Sequence, residues 1–475
     1  MKNTYLFYDI ESTGLNPCFD QVLQFAAIRT DMELNELERH EIRIKLNPDI
    51  IPAPMAMLTH MQSIEIMQQG VDELTGIQKI HALMNAPGTI SLGYNTLGFD
   101  DEFLRFSFFR NLLPPYTHQY SQSCYRMDLY PIVTLFYLFK PDTLKWPTVD
   151  GRVSLKLDNI NHLNGLAEGM AHDAMVDVRA TLALAKLCKQ DSAMWNYCLG
   201  YFKKETDQQR LNQLHYRIEI NRQHYPLAYA CYGRFGAGNN FVAPVIALGN
   251  HNVYKNQSLW LRLDLPKLQQ CNGESIFDNT FVLKKKPAEN ILILPYHDRY
   301  HSLLSAERQQ TTKENINWCT HSPELFQQIK KEHRAFTYPT VEHVDPDAAL
   351  YQLPFSTREQ QQLMQKFHDA KPNHKLSVLE QINCPVLLEL GLRILAKHIP
   401  QLLDNHHREH FNDQVSRVFQ STHSIIDHKN QLKLNSKAAL QEISELESKF
   451  DLHTEKLQLL EELKGYILTK KNTLI

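Results

Sequence analysis

The feature that most constrains the fold is a change of hydrophobic period along the first 190 residues. Short runs of strand character alternate there with runs of helical period. "YLFYDIE" (5–11), "VLQFAAIRTD" (22–31) and "EIRIKL" (41–46) read as strands, with turns at Gly14–Pro17 and Asn47–Pro48. "GTISLGYN" (88–95) reads as a fourth strand after a helical stretch. "DEFLRFSFFRNLL" (101–113) carries a helical apolar face and stops at Pro114–Pro115, while "HDAMVDVRATLALAKLCKQ" (172–190) keeps helical period with no glycine or proline. Three early strands followed by strand–helix alternation predict an α/β domain with a mixed central sheet.

The pattern changes twice more. Between about 195 and 350, "YPLAYACYGRFGAGNNFVAPVIALG" (225–249), "SLWLRLDL" (258–265) and "ENILILPYH" (289–297) give short strands broken by Gly and Pro, a β-rich or α+β unit. From about 352 onward the chain reads as helical, with Leu440, Ile443, Leu446, Leu460, Leu463 and Ile467 at three- and four-residue spacing. A chain of 475 residues is long enough for two to four domains. The expected partition is 1–190, 195–350 and 352–475, with no internal repeat.

A formal net charge of −3 excludes a global positive field, so any nucleic-acid binding must use a local basic surface. Eight cysteines without a C-x-x-C pair or zinc spacing suit reduced thiols. The N-terminal segment has no apolar stretch of signal-peptide type, and "YPIVTLFYLF" (130–139) is too short to span a bilayer. The expectation is a soluble cytoplasmic protein with no membrane association.

Chemistry concentrates in three places. On a strand, Asp9 and Glu11 project from one face and Ile10 from the other. Carboxylates held that close repel, and a divalent cation with a preference for oxygen would relieve them. Asp100, in "GYNTLGFDDEFL" (93–104), follows a strand and opens a helix; His172 and Asp177 lie in "AHDAMVDVRAT" (171–181). Taken singly, each has a plain reading: a solvated sheet edge, a helix N-cap, a polar loop residue, an exposed helix face.

Taken together and in this order, Asp9-x-Glu11 with Thr13-Gly14, Asp100 in Asn95-x-x-x-Phe99-Asp100, and His172 five residues before Asp177 resemble the DEDD exonuclease superfamily. Its domain is also called DnaQ-like or ribonuclease-H-like, and the His-x-x-x-x-Asp spacing marks its histidine subclass. "QFAAIRTD" (24–31), "YGRFGAGNNFVAPV" (232–245) and "DAALYQLPFSTREQQ" (347–361) narrow the resemblance to the bacterial exodeoxyribonuclease I family. That family implies an exonuclease domain, an SH3-like middle domain and a helical C-terminal domain in one monomeric chain.

The resemblance implies that Asp9, Glu11, Asp100 and Asp177 hold two Mg2+ ions, with Mn2+ an alternative, and that His172 is the general base. It implies removal of nucleoside 5′-monophosphates from the 3′ end of single-stranded DNA in repair and recombination. It also implies docking of the C-terminal tail of single-stranded-DNA-binding protein. Substrate contacts carried over by position are Glu11, Arg105, Tyr116, Tyr120 and Lys156. Two departures stand out: "LTHM" (58–61) puts His60 where the superfamily has the glycine of Thr-Gly-Ile, and Thr134 stands where a basic contact is expected. The alternatives are the same hydrolysis on RNA and a non-catalytic strand-binding scaffold; the complete set of acids and His172 speaks against the scaffold.

Overall fold

The computed structural model describes residues 3–169, 173–421, 423–449 and 452–473. The first apolar run forms β1 (Thr4–Ser12), whose side chains alternate between two cores. Tyr5 and Phe7 enter one core, and Leu6, Tyr8 and Ile10 enter another on the opposite face. Each such side chain contributes about 1.5–3 kcal/mol when fully buried. With β2 (Val22–Thr30) and β3 (Glu36–Arg43), β1 makes an antiparallel meander.

The expected third strand, 41–46, begins five residues earlier and is largely exposed. Its sequence, ELERHEIR, is a charged edge, which discourages pairing with other chains. After it come α1 (Pro54–His60), α2 (Ile64–Met67) and α3 (Glu73–Met84). They lead into β4 (Thr89–Gly93), which pairs parallel to β1, and then α4 (Asp100–Arg110). β5 (Tyr125–Asp128) pairs parallel to β4 and runs directly into α5 (Leu129–Phe139). The sheet order β3-β2-β1-β4-β5 mixes both senses, as expected.

A two-residue hairpin, β6 (Thr148–Val149) and β7 (Arg152–Val153), precedes α6 (Leu157–Asn164) and α7 (Ala174–Lys189). Ala174, Val178, Leu182 and Ala185 of α7 lie in the same core as Tyr5 and Phe7. That packing lays α7 across the odd-numbered face of β1.

Next come α8 (Ser192–Leu199), α9 (Lys204–Asn212), β8 (Tyr216–Ile220), β9 (Gln223–Cys231), β10 (Val242–Asn250) and β11 (Ser258–Arg262). Short α10 (Ile276–Asn279) leads to β12 (Val282–Lys285) and β13 (Leu292–Pro295). The strands form one antiparallel sheet, β12-β11-β10-β9-β13, with β8 paired to β9. Helices α11 (Asp298–His301), α12 (Ala306–His321) and α13 (Pro323–Ala335) follow. The remainder is helical: α14 (Arg358–Asp369), α15 (Lys375–Leu379), α16 (Pro385–His398), α17 (Asn405–Gln420), α18 (Ser436–Lys449) and α19 (Thr454–Thr473).

The three stretches share apolar cores. Tyr229, Val242 and Leu292 of the middle sheet join the core of Tyr5 and Phe7. Phe106 and Phe109 of α4 pack with Leu363, Phe367 and Leu390. Met57 and Leu58 of α1 pack with Phe411, Leu460 and Leu463, so α17 and α19 back the short helix that ends at His60. The amides of Met55 and Glu65 donate to Glu442 of α18 and Glu462 of α19 at 3.2 and 3.1 Å. No helix among the described residues is long and apolar enough to cross a membrane.

Candidate active site

The odd face of β1 continues past Phe7 to Asp9 and Glu11, where α7 crosses it. Asp177 lies in the first turns of α7, one residue before the core-facing Val178. The helix start is fixed by Asp173, whose Oδ1 accepts the amides of Met175 and Val176 at 3.0 and 3.2 Å. Asp9, Glu11 and Asp177 each bring a carboxylate oxygen within 4.8 Å of the others. The strand face that the sequence predicted and the helix that crosses it therefore bring these three acids to one point.

Asp100 reaches β1 differently. The parallel pairing of β4 with β1 ends at Phe7 and Leu92, and β4 itself stops at Gly93. A Cβ on Gly93 would lie 2.4 Å from the Tyr8 carbonyl oxygen, so only glycine lets the strand end approach β1 this closely. Asp128, buried at the end of β5, accepts the amides of Asn95 (2.8 Å), Leu97 (3.2 Å) and Tyr130 (2.9 Å) and so holds the turn before α4. Asp100 then accepts the amide of Ile10 on Oδ1 at 3.2 Å. It is anchored to the backbone between Asp9 and Glu11 and stands beside the trio.

Electrostatics follow from this crowding. Burial raises the Asp9 pKa well above the carboxylate range, and repulsion from Asp100, Glu11 and Asp177 adds to it. Burial does the same to Asp100, despite the Ile10 amide. Asp177 is pushed up to about 7 by burial, then by Asp158 and Glu11. Acids that resist ionising in their own company can be relieved by a cation, and an all-oxygen donor set suits a hard divalent ion. Asp9, Glu11 and Asp177 fit that role, with Asp100 beside them.

The family model described as Exonuclease matches residues 6–185, which contain all four acids. A second model, the Exonuclease I C-terminal domain, matches residues 344–470. The chain thus carries an exonuclease domain and an exonuclease I C-terminal domain. Exodeoxyribonuclease I of Escherichia coli (strain K12) is 32% identical over 298 residues, covering 62% of this chain and 61% of that protein. The alignment thus spans less than two thirds of the E. coli protein. Exodeoxyribonuclease I of Buchnera aphidicola subsp. Baizongia pistaciae is 27% identical over 500 residues, covering 99% of this chain and 97% of its own length. The crystal structure of E. coli Exonuclease I in complex with a dA16 oligonucleotide superposes with a TM-score of 0.85 at 23% identity, covering 99% and 100% of the two chains. The mixed-sheet α/β domain and the helical C-terminal region are thus those of the exonuclease I fold.

Other residues predicted for an exonuclease I site lie as follows. His172 falls outside the described residues. Tyr120 is 70% exposed, and Lys156 is exposed immediately before α6. Tyr116 is half-buried, edge-on to Phe355 with ring centroids 5.8 Å apart. Arg105 stacks over Tyr116 at 5.4 Å but is only 14% exposed. Its guanidinium pairs with Asp101 and Glu102, both at 2.6 Å, and donates to the Tyr351 hydroxyl at 2.7 Å. In this arrangement Arg105 is committed to carboxylates, and a phosphate would have to compete with them.

Thr134 is 1% exposed inside α5 and donates to the Tyr130 carbonyl, so its replacement of a basic residue removes no surface contact at this position. The left-handed conformation that favours glycine belongs to Met61 (φ 50°), one residue after His60. His60 ends α1 and touches the site: its Nδ1 lies 2.5 Å from Glu11 Oε2. Neither that contact nor the charge of Asp158 on the trio was read from the sequence. The only available signal for Asp158 was its place two residues after Lys156.

Proposed function

We propose that this protein is a single-strand-specific 3′→5′ exodeoxyribonuclease that releases nucleoside 5′-monophosphates. The observation that carries the reading is the convergence of Asp9, Glu11 and Asp177 within 4.8 Å, with Asp100 hydrogen-bonded beside them, in a chain that carries an exonuclease domain. Asp9, Glu11, Asp100 and Asp177 would hold two Mg2+ ions, Mn2+ being the alternative. When bound, such ions acidify water and offset the charge on the phosphate and the departing 3′-oxygen.

The chain's own residues do the rest. The Ile10 amide orients Asp100, and the cap at Asp173 fixes the helix that carries Asp177. His172 takes the proton of the attacking water. The exposed Tyr120 ring supplies a stacking surface indifferent to base identity, and Lys156, exposed at the start of α6, supplies positive charge for the strand. Glu11 also faces the terminal nucleotide. Arg105 serves the strand through Tyr116, by holding the ring against which it stacks.

The division into 1–190, 195–350 and 352–475, with an SH3-like middle unit, belongs to the same reading. The antiparallel sheet between Tyr216 and Pro295 supports it. A monomer acting in DNA repair and recombination in the cytoplasm, with the acidic tail of single-stranded-DNA-binding protein as partner, completes the proposal.

Labelled single-stranded DNA, duplex DNA and single-stranded RNA, each incubated with the protein and Mg2+, test it. Mononucleotide release is expected to be fastest from single-stranded DNA. Faster turnover of RNA would replace the reading with an exoribonuclease, and strand binding without release would make the protein a scaffold.

A further inference from the structure

His60 is the chain's clearest departure from the family pattern, and the fold puts it to use. Among the described residues it is the one side chain in ion-pair contact with the Glu11 carboxylate, at 2.5 Å. Glu11 is 4% exposed, so a polar contact there works in a medium of low dielectric and is stronger than in water. The imidazole is presented by a rigid support. Met57 and Leu58 anchor α1 among Phe411, Leu460 and Leu463, and Glu442 accepts the Met55 amide near the start of the helix. Met61 turns left-handed directly afterwards and ends the helix at His60.

We propose that His60 is a positioning residue of the metal cage: it holds Oε2 of Glu11 and thereby presents the other carboxylate oxygen, in a fixed rotamer, toward Asp9 and Asp177. A carboxylate on a strand has two soft torsions and two equivalent oxygens. Clamping one oxygen removes the rotamer freedom that ion binding would otherwise have to freeze. The clamp rests on the reading of the acids as a metal site, not on the identity of the substrate.

The test is a Mn2+ binding isotherm on the full chain without nucleic acid, for wild type, His60→Ala, His60→Gln, Glu11→Gln and the double variant His60→Ala/Glu11→Gln. His60→Ala is expected to weaken Mn2+ binding about tenfold or more, the usual scale for losing a partner that orients a ligating group. His60→Gln keeps an N–H donor and is expected to recover most of that loss. In the Glu11→Gln background the His60→Ala change is expected to have no further effect. With single-stranded DNA, His60→Ala should lower kcat at limiting Mn2+ and leave KM unchanged. An isotherm for His60→Ala within about twofold of wild type would overturn the proposal, as would full additivity in the double variant. Because the isotherm uses no DNA, a protein that bound Mn2+ but released no nucleotide would refute the proposed function and leave this inference standing.

Discussion

Arg126 Nη1 lies 2.5 Å from Asp101 Oδ2, one residue after an acid whose environment is the reverse. Asp100 faces β1 and other carboxylates, and its pKa is driven up by burial. Asp101, turned by one helical step, is equally buried but meets Arg126, Arg105 and His118, and its carboxyl is held far below the usual range. Arg126 continues to Glu289, and Arg105 to Tyr351. The Asp-Asp-Glu run thus splits into a site acid and the hub of an ion network tying α4 to the middle and C-terminal regions.

Replacing Asp101 by Asn removes the carboxylate that two largely buried guanidinium groups share, leaving Arg105 with Glu102 and Arg126 with Glu289. The expected cost is about 3–5 kcal/mol of folding stability. Asp100→Asn removes a repelled charge and is expected to leave the metal-free protein at least as stable as wild type while abolishing cation binding. Urea unfolding of the two variants, with Mn2+ isotherms, separates the neighbours.

The Asp177 carboxyl, raised from 3.8 to about 7, sets a pH dependence of definite sign. Between pH 4 and 7 the metal-free folded chain retains a proton that the unfolded chain has lost, so this group costs stability as pH rises through that window. Asp177→Asn should therefore be stabilising in metal-free protein. The gain over wild type should be negligible near pH 4 and level off above pH 7. Saturating Mn2+ at pH 8 should reverse the order. Thermal unfolding of both proteins from pH 4 to 8, with and without Mn2+, is the measurement.

His172→Ala should lower kcat by about 10²–10⁴-fold, the range for loss of a general base. Its Mn2+ isotherm should match wild type. Asp9→Asn should lose both activity and ion binding. Rapid-quench kinetics on a 3′-labelled strand, run beside calorimetry, distinguish the two.

Tyr120→Ala should raise KM for single-stranded DNA about fivefold or more and leave kcat unchanged, since one lost stacking contact costs at least about 1 kcal/mol. The effect should be the same on poly-dT and poly-dA, because ring stacking does not read base edges. Steady-state kinetics on both strands check it.

What the sequence disclosed depended on whether the signal was local. Strand period alone aligned Asp9 with Glu11, and the unbroken helix after residue 172 carried Asp177 to them, because both rest on backbone repeats that neighbours in sequence determine. The edge strand was misplaced by several residues, since ELERHEIR has no apolar pattern and forms only because β2 offers a free edge. The helix expected to run to residue 113 ends at Arg110, with Leu112 left-handed before the prolines. Arg105 read by family position as a substrate contact: Asp101 and Glu102 stand within four residues of it, but its Tyr351 partner lies 246 positions away. His60 read as a lost glycine for the same reason: nothing near it in sequence announces Glu11 as its neighbour.

The brace beneath α1 has a consequence for how the molecule is made. The Glu65 amide and its Glu462 acceptor are 397 positions apart, so translation delivers the segment around His60 long before the helix that supports it. A premature stop codon ahead of Thr454 would yield a polypeptide with every acid of the cage but only the α17 and α18 part of the support beneath its histidine. The clamp therefore acquires its full support only once α19 has left the ribosome.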